Sequence, residues 1–220
     1  MRITWLGHDA FLFESDEGKK ILTDPYVAGS YDGSVGYEEI KETVDIVTTS
    51  HEQHPDHFDK THFGRHPNLV RGAGEKTVEN IPFKGIATFH DKSNGSERGT
   101  NTIFVFEVDG MRICHCGDLG HLLSDAQIKE IGKVDLLFIP VGGYFTIDHK
   151  EAWEIAKKIA PPILIPVHYK TDVLGFPLDR VDVFLKGKKN VKEIDGDTFE
   201  ITVDELPEPT EIRVFQKHRL

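Results

Sequence analysis

The sequence predicts an α/β protein in which sheets pack face to face and helices lie outside them. Two observations carry this reading. Short apolar or alternating runs follow one another through the first part of the chain, and strand-helix alternation comes later. No low-complexity run or internal repeat interrupts the pattern.

The chain opens with Ile3 to Leu6, Ala10 to Glu14 and Lys20 to Thr23, separated by Gly7-His8 and Asp16-Glu17-Gly18, which reads as a meander. Further strands are expected at Val44 to Thr48, Leu69 to Arg71, Lys84 to Phe89, Thr102 to Val108, Arg112 to Cys116, Leu136 to Ile139 and Ile163 to Val167. Val108-Asp109-Gly110-Met111 is a hairpin signal, because Asp-Gly tolerates the positive φ angles of a tight turn. Ser124 with Gln127, and Asp148 with Glu151, have the form of capping boxes. The second opens a helix, Glu151 to Ile159, that must stop at Pro161-Pro162. The tail from Val191 to Leu220 reads as edge strands and an irregular segment.

At 220 residues the length suits one domain, spanning 1–220, although length alone does not distinguish this from two small lobes. The 26 basic residues are outnumbered by 37 acidic ones, for a formal charge of -11. Such a surface repels phosphate backbones, so no nucleic-acid partner is expected and a small-molecule substrate is. Cys114 and Cys116, at i and i+2 in an extended run, point to one face and do not easily bridge each other. Neither a signal segment nor a run of membrane-spanning length is present, so the expected location is the cytoplasm, with no membrane partner.

The chemistry gathers in Ser50-His51-Glu52-Gln53-His54-Pro55-Asp56-His57, immediately after the apolar run at Val44 to Thr48. Neutral imidazoles and ionised carboxylates on one short loop are a chelating set for zinc, iron or manganese. His90, Asp118 and His168 each follow a buried-looking strand, so all of these side chains can converge at one rim of the sheets.

With Gly7-His8, Leu22-Thr23-Asp24-Pro25-Tyr26, the His-rich loop, His90, Cys116-Gly117-Asp118-Leu119 and Pro166-Val167-His168-Tyr169 in this order, the chain resembles the metallo-β-lactamase superfamily, in particular its lactonase-like and unassigned hydrolase members. The resemblance covers most of the chain. It implies a four-layer αββα sandwich with one or two metal ions at the strand ends, zinc first and manganese or iron as alternatives. His51, His54 and His90 would hold the first ion, Asp56, His57 and His168 the second, and Asp118 would bridge them. Asp24 would stand behind a ligand, accepting a hydrogen bond from its imidazole and fixing the tautomer.

The family loop reads His-x-His-x-Asp-His, whereas His51 and His54 are three apart here. A bulge keeps His51 as the first ligand; an ungapped register puts Glu52 there instead. A third arrangement has a single ion at Asp56, His57, Asp118 and His168. The preferred reading is His51, because loops absorb one residue cheaply.

The implied function is a metal-dependent hydrolase that directs a metal-activated hydroxide at a small ester, lactone or phosphodiester. Asp118 and Asp56 are the catalytic carboxylates, Asp118 orienting or deprotonating the water. No Gly-x-Ser-x-Gly elbow or phosphate-cradling Gly-x-x-x-x-Gly-Lys-Ser/Thr loop offers another hydrolytic chemistry. His8, His115 and His121 are candidate proton donors or supporting residues. Arg98 and Lys170 are candidate anion contacts, with a structural role in the turn before the strand at Thr102 preferred for Arg98, and Tyr144 and Tyr169 are candidate aromatics at the mouth. A di-iron oxidoreductase and a binding module with a spoiled first site are the alternatives.

Overall fold

A computed structural model describes residues 1–59 and 67–216. Fourteen strands form two mixed sheets among them. The first has the order β13-β1-β2-β3-β4-β5 and the second β12-β14-β11-β10-β9-β8-β7-β6. In the first sheet β1 (Arg2–Gly7), β2 (Ala10–Glu14) and β3 (Lys20–Thr23) form the expected meander, and β4 (Ile46–Thr49) and β5 (Asn68–Arg71) continue it in parallel.

In the second sheet β6 (Gly74–Val78), β7 (Ile81–Phe89), β8 (Thr100–Val108) and β9 (Met111–His115) run antiparallel, whereas β10 (Leu136–Pro140) and β11 (Ile163–Val167) lie parallel to β9. The Asp109-Gly110 turn joins β8 to β9, with φ of 51° and 75° and Val108 paired to Met111. Those paired positive angles are what the Asp-Gly signal anticipates.

Strand periodicity sorts the first sheet's side chains between two apolar clusters. Ile3, Trp5, Phe11, Phe13, Ile21 and Ile46 face the second sheet, while Leu6, Ala10, Leu12, Leu22 and Val47 face outward. Phe11 and Phe13 meet Phe138 of β10 edge-on at ring distances of 4.7 and 5.3 Å, which locks the two sheets together.

Helices cover the second sheet. The capping boxes of Ser124 and Asp148 open α2 (Asp125–Ile131) and α3 (His149–Ile159), and α4 (Val181–Leu185) packs on α3. Helix α3 ends at Ala160 in a left-handed conformation, directly before the two prolines.

The outer face of the first sheet is covered differently. Among the described residues it carries Tyr26, Val35, Tyr37, Ile40, Leu174 and Leu178, from two irregular segments containing only the short turn α1 (Ser30–Gly33). The fourth layer is therefore mostly loop. The tail supplies the edge strands β12 (Val191–Ile194) and β13 (Thr198–Glu200), as expected, but β14 (Glu211–Phe215) is interior, between β12 and β11. Its sequence, Glu-Ile-Arg-Val-Phe, alternates like an edge strand, but Arg213 is buried on the face it shares with Phe215, turned towards the first sheet and packed over Phe199 at 4.8 Å. No helix among the described residues is long and apolar enough to cross a membrane. Cys114 and Cys116 are free and buried.

Candidate metal centre

Strands β1, β3 and β4 run parallel within the first sheet, as do β7, β9 and β11 within the second. Their C-terminal ends meet at one rim. The first sheet delivers His8, Asp24 and the 51–57 loop there, and the second delivers His90, Asp118 and His168. His8, Asp24 and His168 have φ of 51°, 39° and 50°, left-handed values that non-glycine residues rarely adopt. Three such residues at one rim mark a functional site held by its surroundings.

Asp118 stands at the centre. Its Oδ1 lies 3.0 Å from His57 Nε2 and 3.3 Å from His168 Nε2, while its Oδ2 lies 3.1 Å from His90 Nε2 and 3.8 Å from His51 Nε2. Each oxygen thus faces its own pair of imidazoles. His54 completes the group on the Oδ2 side, where donor atoms of His51, His54 and His90 lie within 4.8 Å of one another. Asp56 Oδ2 lies 3.9 Å from His57 Nε2. Every residue expected as a ligand is brought to this rim.

Residues not singled out from sequence hold the centre in place. Asn101 Oδ1 accepts the N–H of Asp118 at 3.0 Å, and its Nδ2 donates to Thr88 Oγ1 and the Cys116 carbonyl. Ser50 Oγ and His51 Nδ1 are hydrogen-bonded at 3.0 Å, which aims His51 Nε2 inward. Gly117, at φ 51°, lies so close to Ser50 that a side chain there would collide with it. Asp24 accepts the Ser50 N–H at 2.6 Å and turns its other oxygen towards His57 Nδ1 at 3.7 Å, behind that imidazole but beyond the hydrogen-bond distance expected of it. Asp9, also unnoticed in the sequence, is fully buried with an oxygen 3.9 Å from the same nitrogen.

Burial pushes His51 down to about 4 and His168 down to about 3, and lowers His90 as well, so these imidazoles are neutral and free to ligate near neutral pH. His57 moves the other way: burial would lower it, but Asp118, Asp24 and Asp56 outweigh that and raise it. Burial would raise Asp118, yet His57, His168 and His90 hold it well below the ordinary carboxylate value.

These residues fit a bound metal on the evidence of their own unmet contacts. His51 Nε2, both nitrogens of His57 and Asp118 Oδ1 are buried without any hydrogen-bond partner. Buried polar atoms are normally paired. Donors sharing one ion at about 2.0–2.2 Å stand roughly 3–4 Å apart, which is the spacing found around Asp118.

The two side chains that the alternative loop registers offer face different ways. His51 points into the centre, whereas Glu52 turns outward to an ion pair with Arg71 at 2.8 Å. Several further expectations resolve into structural roles. His115 is enclosed between the sheets, donating from Nε2 to the Asp9 carbonyl and accepting the Gly117 N–H at Nδ1. His121 has both nitrogens engaged, with the Phe89 N–H and the Leu122 carbonyl. Lys170 donates to the carbonyls of Leu174 and Phe176, and Tyr169 is buried against Trp5, so neither lines the mouth.

The mouth is built instead from Tyr31, Phe176, Phe145 and Tyr144, in ring contact from one to the next. Arg98 lies 5.7 Å above Phe145. It belongs to a turn whose main-chain N–H groups converge on Asp91, in keeping with the structural role expected for it. Tyr31 reaches furthest in: its hydroxyl is 3.2 Å from His54 Nδ1 and 3.3 Å from Asp56 Oδ1. No sequence signal distinguishes this tyrosine, because it sits in a left-handed turn in a loop without periodicity.

Such a rim defines a metal-binding α/β sandwich. Residues 2–168 match the family model of the beta-lactamase superfamily domain. A UPF0173 metal-dependent hydrolase of Thermoplasma acidophilum is 31% identical over 203 residues, covering 83% of this chain and 87% of its own. Another from Carboxydothermus hydrogenoformans is 32% identical over 202 residues, covering 78% and 85%. A crystal structure of a metallo-beta-lactamase superfamily protein from Thermotoga maritima, 38% identical, superposes over 97% of both chains with a TM-score of 0.77. The chain belongs to the beta-lactamase superfamily, within the UPF0173 metal-dependent hydrolases.

Proposed function

We propose that the rim holds two divalent ions and hydrolyses a small ester, lactone or phosphodiester. His51, His54, His90 and Asp118 would hold one ion, and Asp56, His57, His168 and Asp118 the other. The observation that carries this reading is the division of Asp118's two oxygens between two sets of imidazoles. When bound, such ions lower the pKa of water towards neutrality and polarise an electrophile.

The chain's own residues supply orientation and protons. Asp118, kept ionised by its imidazole neighbours, can accept a hydrogen bond from the attacking water and orient it. Tyr31 is held as the neutral phenol, since partial burial and then Asp56 raise its pKa. It is therefore a standing proton donor beside both ligand sets, placed to serve a developing oxyanion or a leaving oxygen. The aromatic wall from Tyr31 to Tyr144 suits an apolar portion of a small substrate, and the charge of -11 argues against a nucleic-acid polymer.

The extra residue between His51 and His54 does not scatter the first ligand set, which speaks for catalysis over a binding module with a lost site. Elemental analysis of untagged protein, followed by a screen of aryl phosphodiesters and γ-lactones, tests the reading. About two equivalents of metal and metal-dependent turnover are expected. Metal-free protein after loading with zinc or manganese would overturn it.

A further inference from the structure

His8 is placed unlike a supporting residue. Its ring is buried, and neither Nδ1 nor Nε2 has a hydrogen-bond partner. A neutral imidazole has one donor and one acceptor to satisfy, and a core or supporting histidine satisfies them as His115 and His121 do here. The ring is also held deliberately. Its backbone is left-handed, its carbonyl accepts the Trp5 indole N–H at 3.0 Å, and it follows the irregular pairing between Trp5 and Gly7 that ends β1.

What the ring faces is the Asp118 Oδ1 side of the centre. Its centroid is 4.4 Å from that of His168 and 4.8 Å from that of His57, and donor nitrogens of all three lie within 4.8 Å of one another. Its Nε2 is 3.6 Å from Asp56 Oδ2, past hydrogen-bond reach but within the separation of two donors on one ion. His8 does not stand behind His57 as Asp24 does. Asp24 addresses His57 Nδ1, whereas Asp56 and Asp118, the carboxylates around His8's side of the site, address Nε2.

We propose that His8 is a direct ligand of the second metal position, through Nε2, in addition to Asp56, His57, His168 and Asp118. This rests on the two-ion reading above and deepens it. The second position then has five protein donors where the first has four. Five donors and a water make a six-coordinate shell, which suits manganese, iron or cobalt, whereas zinc prefers four. The two positions would therefore differ in metal preference, the His8 side being the one that takes the six-coordinate ion.

The test uses cobalt(II), whose visible absorption is weak in six-coordinate and strong in four-coordinate surroundings. Untagged wild type, His8→Ala, His8→Gln and the control His57→Ala are titrated with cobalt(II), and cobalt-loaded wild type is crystallised. The expected result is two equivalents in wild type and at least a 10-fold weaker second equivalent in His8→Ala, with a several-fold stronger absorption per bound ion at that position. Restoration of the weak band by free imidazole adds support that a merely structural role would not give. In the crystal, His8 Nε2 should lie about 2.1 Å from the ion. If the His8 variants do not fold, the wild-type crystal decides alone. Two bound ions with His8 Nε2 more than 3 Å from either would overturn His8 as a ligand and leave the two-ion reading standing; no cobalt bound by wild type would overturn both.

Discussion

The main-chain N–H of Asp118 donates to Asn101 Oδ1 at 3.0 Å, so a neutral amide on β8 fixes the residue whose carboxylate faces His51, His57, His90 and His168. Asn101 is buried and its Nδ2 is also spent, on Thr88 and Cys116. Replacing it strands the Asp118 N–H and the Cys116 carbonyl, while Thr88 keeps its bond to the residue's own main-chain carbonyl. Asn101→Ala should cost about 2–4 kcal/mol in urea unfolding and lower metal content at both positions, although Asn101 is no ligand.

Asp118 and His54 should separate in metal analysis. Asp118→Ala removes an oxygen from each ligand set and should deplete both ions, whereas His54→Ala should deplete only the one shared with His51 and His90. Equal metal content in wild type and both variants would contradict the assignment of Asp118 as the bridge.

Tyr31→Phe removes one hydroxyl and keeps the ring's packing on Phe176. With any substrate the metal-loaded protein turns over, kcat should fall about 10²-fold or more while metal content and Tm hold. An unchanged kcat would show that the phenol takes no part in proton transfer.

Acid should destabilise the metal-free protein before its carboxylates titrate. In the folded state His51 and His168 stay neutral down to about 4 and about 3, but in the unfolded chain each binds a proton below about 6.5. The unfolded state therefore binds more protons in this window, and stability falls as pH drops from about 6.5 towards 4. The loss should be on the order of a few kcal/mol, offset in part by Asp9, whose buried carboxyl is raised and takes up a proton in the folded state. His57, raised in the folded state, contributes at the other end: its share is fully present below about 6.5 and fades as pH climbs through its folded value. Urea melts of chelated protein between pH 4 and 7 would show the acid limb; a flat profile would contradict it.

Metal should act as a folding ligand. An ion present at 100 times its Kd stabilises the native state by about 2.7 kcal/mol, so stripping with a chelator should lower Tm and re-addition should restore it. Chelation without any shift would mean that the ligands are equally available to metal in the unfolded chain.

Much of this was legible in the sequence because its signals are local. The Asp-Gly turn, both capping boxes and the alternation in β2 depend on residues within a few positions of one another, and each appears where expected. The ligands were legible for a different reason, since each follows an apolar strand. What escaped notice depends on contacts distant in sequence. Asn101 is an ordinary strand residue until Asp118 is brought beside it, Asp9 passes for a turn residue, and β14 looks like an edge until β12 pairs beyond it. Which of Glu52 and His51 faces inward is likewise not a local property, since Glu52 ends beside Arg71 of the next strand.

The partition of donors between sheets has a temporal consequence. One sheet brings His8, His51 and His57; the other brings His90, Asp118 and His168, and the last of these lies more than a hundred residues after the His-rich loop. During synthesis the loop emerges long before its partners, and on its own it is a loose chelate. On the two-ion reading the first position is complete once β9 is in place, whereas the second must wait for His168 until β11 has docked against β10. On that reading full metallation is a late event that only a chain with both sheets assembled can complete.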